Sequence, residues 1–144
     1  FNYIKDCSLI VHVAEGTIHG DYADGSWPWG TDPESYVKAW ISGETKESTV
    51  KSGFTPTWGH SLDMGCPSNE NATLNLQMFE DDGSAGSSIW GFDDLMFTCA
   101  VTGWSRFDPE ETQTCEGTST NGLSHEIQFM IDYSPPSGEA TRAR

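Results

Sequence analysis

The sequence predicts an all-β domain, an eight-stranded antiparallel Greek-key β-sandwich, on three observations. Short apolar runs alternate with polar residues at a period of two, as in CSLIVHV (Cys7–Val13) and HEIQFMIDY (His125–Tyr133), which marks half-buried strands. Gly 15 and Pro 7 are scattered between those runs as turn signals, with few long helical periods. At 144 residues the chain makes one domain, large enough to bury about 68% of its unfolded surface.

The elements follow in order. In the first strand Leu9, Val11 and Val13 alternate with Ser8, Ile10 and His12, and His12 reads as a partly exposed strand residue rather than a ligand. From Ala14 to Ser35 the chain becomes a long loop rich in Gly, Asp and Pro that carries Asp21, Asp24 and Asp32 with Tyr22, Trp27 and Trp29. YVKAWI (Tyr36–Ile41) is the next strand, followed by the turn SGETKE and a strand around Ser48 to Lys51. Pro56 and Trp58 turn the chain into a strand through Leu62 and Met64, and both Trp58 and Trp40 are expected to pack. After the polar turn Cys66–Asn71, strands at Leu74–Phe79 and Leu95–Val101 flank an acidic loop. Gly103–Gly117 reads as a polar connection, and His125–Tyr133 closes the sheet. Residues 1–134 form the domain; the tail 135–144 has almost no apolar content and is expected to be disordered.

Composition narrows the function. The formal net charge of −15 argues against a nucleic-acid partner, because phosphate binding needs Lys and Arg concentrated on one face. No run of 18 apolar residues is present. The opening FNYIKDC, without Met or a leader, reads as a mature or trimmed chain. Cys7, Cys66, Cys99 and Cys115 lack CxxC spacing, and an even, spread set is compatible with two disulfides. With the sequon Asn71-Ala72-Thr73 in a polar turn, where a glycan could be carried, this points to a secreted, extracellular chain. No GxSxG, HExxH, P-loop or GxGxxG motif occurs and the four histidines are dispersed, so an enzyme is not expected. Glu110 and Glu111 do not make a glycosidase pair, since adjacent strand residues face opposite ways.

The chain is organised around Leu74–Cys99. An apolar strand breaks at Glu80, Asp81 and Asp82, crosses a Gly/Ser-rich loop carrying Ile89 and Trp90, and re-enters a strand at Asp93 and Asp94. Carboxylates crowded there repel one another by roughly 3 kcal/mol per pair at 5–6 Å with an effective dielectric of 20. A hard cation with six to eight oxygen ligands, such as calcium, relieves that repulsion. Periodicity does not fix whether this loop and the first long loop share one end of the sandwich.

The same residues resemble a C2 domain over Ser8 to Tyr133. LIVHVAEG resembles the family's first strand, and Asp21, seven residues after Ala14, its first calcium-binding Asp. TDPESYVKAW resembles "SDPYVKV" with a two-residue insertion after Pro33, and TPTW resembles "NPxW" with Thr for Asn. FEDD and FDDL resemble the D-x-D and D-D-x-I-G parts of the third loop, with Glu80 in place of the first Asp and a longer loop from Gly83 to Phe92. Within the family, ESTV, WGHSLDMG, LQMFEDD and DDLMFTC resemble perforin-type C2 domains. The pore-forming domain that perforins carry is not in this chain, which the resemblance leaves as a fragment or a stand-alone secreted relative. The resemblance implies Cys99–Cys115 and Cys7–Cys66 disulfides. It implies calcium ligands at Asp21, Asp32, Glu80, Asp82 and Asp94, with Asp24, Asp81 and Asp93 behind them.

The function so implied is a secreted calcium-binding module that docks on phospholipid membranes. Tyr22, Trp27, Trp29, Ile89 and Trp90 would form the docking surface, calcium acting as an electrostatic switch. One inserted indole buries about 150–250 Å², an upper bound near 4–6 kcal/mol. Exposed Trp also stacks on sugar rings, so a calcium-stabilised adhesion or carbohydrate-binding module is the alternative, and a mineral-associated matrix protein a third. Oligomeric state stays open.

Overall fold

The computed structural model describes residues 7–19, 33–81, 94–119 and 122–136. The tail from residue 137 onward lies outside them.

Among these residues nine strands form two antiparallel sheets. They are β1 (Ser8–Ile18), β2 (Glu34–Ile41), β3 (Glu44–Glu47), β4 (Lys51–Ser52), β5 (Thr57–Asp63), β6 (Leu74–Glu80), β7 (Asp94–Val101), β8 (Gln113–Thr118) and β9 (Ser124–Ser134). One sheet has the order β5-β1-β9-β8; the other runs β3-β2-β6-β7, with β4 paired to β2. A single 3-10 turn, Trp104–Arg106, lies between β7 and β8.

Alternation drives the packing. Leu9, Val11, Val13, Leu62, Ile127, Phe129 and Ile131 from the first sheet meet Val37, Ala39, Ile41, Leu74, Leu76 and Met78 from the second in one buried cluster. The expected all-β sandwich is therefore what forms, and its strand list needs three corrections. First, β1 continues past Val13 to Ile18 because a bulge at Ala14 shifts the register between Val13 and Glu15. The inward phase then moves from Leu9, Val11 and Val13 to Gly16 and Ile18, which hides the strand from a period-two reading. Second, the turn SGETKE contains β3, closed by a Ser42-Gly43 hairpin turn with φ of 50° and 86°. The strand expected at Ser48–Lys51 is the two-residue β4, Lys51–Ser52. Third, the polar connection Gly103–Gly117 contains the start of the edge strand β8, in which Cys115 alone is buried.

Trp58 packs as expected, at 4% exposure, whereas Trp40 is 41% exposed. The parity of β2 explains this: Val37, Ala39 and Ile41 take the inward positions and turn Trp40 outward. Both implied disulfides form. Cys7–Cys66 (Cα–Cα 5.2 Å) joins the residue before β1 to the turn after β5. Cys99–Cys115 (6.0 Å) ties edge strand β7 of one sheet to edge strand β8 of the other.

Candidate metal and membrane pole

Register assigns each strand end to a pole. Ile18 at the end of β1 pairs with His125 at the start of β9, and Glu15 with Thr57 at the start of β5. In the second sheet Ser35 near the start of β2 pairs with Glu80 at the end of β6, which pairs with Asp94 at the start of β7. Backbone hydrogen bonds then lace the two sheets together at this end. Ile18 N–H donates to Phe54 O (2.8 Å), Gly53 N–H to Pro33 O (2.9 Å), and Asp81 N–H to Glu34 O (2.7 Å). The roots of the 19–33 loop and of the 81–94 loop thus sit at one pole, the placement that strand counting left open.

Trp58 braces this pole from within. Its Nε1–H donates to Ser35 O at 3.1 Å. Its ring lies so close to Gly16 that a Cβ there would come within 2.6 Å of it, so β1 needs glycine at this point. The TPTW segment therefore couples β1 to the start of β2.

Glu80 is the described centre of the pole. It continues the inward face Leu74, Leu76, Met78 of β6 and is 5% exposed. Asp81, half-buried, follows it, and Asp94 is its register partner. Asp82 adjoins Asp81, Asp93 adjoins Asp94, and Asp32 adjoins Pro33 in the chain. Those three, with Asp21 and Asp24 and the docking candidates Tyr22, Trp27, Trp29, Ile89 and Trp90, lie outside the described residues. Among the described residues no three His, Cys, Asp or Glu side chains gather as a ligand set. The structure therefore joins Glu80, Asp81 and Asp94 at one pole and joins the roots of both loops there.

Two residues at this pole were not singled out from the sequence. His125 is 1% exposed and stacks on Phe97 at 6.1 Å. His19 N–H donates to its Nδ1 (3.3 Å), which leaves the proton on Nε2 to be donated to Ser119 Oγ (3.1 Å). Ser119 O–H in turn donates to Leu123 O at 3.1 Å. Burial, and after it the neighbouring His19, lowers the His125 pKa from 6.5 to about 4. The other residue is Ser35, fully buried. Both share the parity of the inward residues of their strands, and that was the signal available in the letters.

The far pole holds Cys7–Cys66 and the turn before β6. Trp104 Nε1–H donates to Ala72 O (2.7 Å), and its ring meets Tyr133 edge-on at 5.0 Å. Asn71 is exposed there, its N–H donating to Asn69 Oδ1 at 2.7 Å. Glu110 and Glu111 stand in a turn built on Asp108, not on a strand.

A family model described as "C2 domain" matches residues 7–111. The chain belongs to the C2 domain family. Solved structures agree on the fold. A C2 domain of plant extended synaptotagmin 1 is 18% identical with a TM-score of 0.68, over 92% of this chain and 98% of that one. A calcium-bound pair of C2 domains from extended synaptotagmin 2 is 14% identical with a TM-score of 0.60, over 96% of this chain and 51% of that one. Human GIVD cytosolic phospholipase A2, in complex with an inhibitor and terbium chloride, is 18% identical with a TM-score of 0.58, over 90% of this chain and 18% of that one. No curated protein matches the chain.

The residues at the pole of this C2 domain suit a hard cation. Glu80, Asp81 and Asp94 offer oxygen donors, the ligand type that hard cations take. Glu80 ends the inward face of β6 at 5% exposure.

Proposed function

We propose that this C2 domain is a secreted, non-catalytic module that holds calcium at the loop pole and docks there on phospholipid membranes. The observation that carries the reading is the lacing of Ile18, Pro33, Asp81 and Glu34 into one pole around Glu80. Asp21, Asp32, Glu80, Asp82 and Asp94 would supply the oxygens, with Asp24, Asp81 and Asp93 as further donors. When bound, calcium supplies the positive charge that cancels this carboxylate cluster. The chain does the rest: β2, β6 and β7 hold the acids together, and Tyr22, Trp27, Trp29, Ile89 and Trp90 offer apolar area to the bilayer. The calcium-bound state of extended synaptotagmin 2 supports the metal half of the reading.

The extracellular setting rests on two disulfides and the exposed sequon at Asn71. A glycan on Asn71 would stand at the pole opposite the loops, clear of a docked membrane. The segments that resemble perforin-type C2 domains support work beside a pore-forming partner.

Co-sedimentation with phosphatidylserine/phosphatidylcholine vesicles tests the reading. Pelleting in millimolar calcium that is reversed by EGTA supports it, whereas pelleting that ignores calcium, or none at all, rejects it. Intact mass of the chain secreted from eukaryotic cells, compared with Asn71→Gln, tests the glycan.

A further inference from the structure

Among the described residues, the only buried side-chain nitrogen or oxygen atom without a hydrogen-bond partner is Ser35 Oγ. Ser35 is 0% exposed, and its main chain is engaged, the carbonyl accepting the Trp58 indole N–H. An orphaned buried hydroxyl destabilises a fold and demands a reason, since alanine would fill the same space without it. A sequence kept for packing alone has no use for it.

Its position supplies the reason. The inward residues of β2 are Ser35, Val37, Ala39 and Ile41, and those of β6 are Leu74, Leu76, Met78 and Glu80. Val37 faces Met78 and Ala39 faces Leu76, but the last rung before the loop pole is Ser35 opposite Glu80. Directly opposed residues of an antiparallel pair hold their Cβ atoms about 4.5–5.5 Å apart. At that spacing a change of side-chain torsion brings the hydroxyl of one to the carboxylate of the other. Two local departures from the C2 pattern also meet at this rung. Ser35 belongs to the two residues by which TDPESYVKAW exceeds "SDPYVKV", and Glu80 replaces the first Asp of D-x-D. Glu is longer by one methylene and has one more torsion to fix.

We infer that Ser35 is a positioning residue: its hydroxyl donates to one Glu80 carboxylate oxygen when the other turns toward a divalent cation at the pole. The inference rests on the calcium reading above. The orphan atom is then the cost, in the metal-free state, of a group placed for the loaded one. Partners that orient a ligand in this way typically contribute 10–100-fold in metal affinity.

The test is a calorimetric titration of EGTA-treated protein with calcium chloride, alongside thermal unfolding of the metal-free form. For Ser35→Ala we expect calcium affinity about tenfold weaker and a metal-free Tm unchanged or higher. A serine kept for packing would not divide the two readouts in that way. In Glu80→Asp, whose carboxylate falls short of the hydroxyl, adding Ser35→Ala should change affinity little further. If wild type binds calcium and Ser35→Ala binds equally well, this inference fails and the calcium reading stands. Lower metal-free stability in Ser35→Ala also overturns it, because the hydroxyl then has another partner. Absence of binding by wild type rejects both readings.

Discussion

Acidification will weaken the fold through His125. Its pKa falls from 6.5 to about 4 on folding, so between those values the unfolded chain carries a proton that the folded chain refuses. Stability therefore rises with pH across that window: the contribution is complete above 6.5, is lost as pH falls, and levels off below about 4. A pKa lowered from 6.5 to about 4, at about 1.4 kcal/mol for each tenfold change in proton affinity, gives roughly 3–4 kcal/mol. The geometry agrees, since protonating Nδ1 sets an N–H against the His19 N–H that now donates to it. Urea unfolding of wild type and His125→Asn across this range reads the effect. Asparagine keeps an acceptor for His19 and cannot titrate, while carboxylates titrate in both proteins and cancel in the difference. The gap between the two stabilities should widen by roughly 3–4 kcal/mol from acid to neutral pH. Parallel curves would refute the reasoning.

Gly16→Ala drives a methyl into the Trp58 ring and should cost about 1–3 kcal/mol, seen as a lower urea midpoint with an unchanged slope. Replacing the Cys7–Cys66 pair by serine, with a sequence separation of 59, should cost about 4 kcal/mol, against about 3 kcal/mol for Cys99–Cys115 at 16. Chemical denaturation of the two double variants checks the order. One millimolar free calcium should stabilise the domain by about 1.4 kcal/mol if the dissociation constant is about 10⁻⁴ M. Differential scanning calorimetry should show that rise in Tm and its loss in EGTA.

What the letters disclosed follows the strength of alternation. β1, β2, β6, β7 and β9 carry repeated inward Leu, Val, Ile, Met or Phe, and each was read near its true place. β8 was missed because an edge strand bonded on one side needs little apolar content, and QTCEGT buries Cys115 alone. The continuation of β1 was missed because the Ala14 bulge reverses the parity on which the reading depended. At the candidate site the acids were legible as a break in an apolar run, but Ser35 and His125 were not. Their roles depend on a cross-strand partner, Glu80 for one and the turn at Ser119 for the other, and one strand's letters do not name its neighbour. Trp40 shows the same limit, its outward turn decided by the phase of β2 rather than by its own size.

The bonds from Ile18 to Phe54, Gly53 to Pro33 and Asp81 to Glu34 run through main-chain atoms alone. Such bonds are indifferent to which side chains the neighbouring segments carry. Substitution of the side chain at Phe54, Glu34 or Asp81 therefore leaves these three bonds in place, and the joint between the strand ends tolerates sequence change at its own anchor residues.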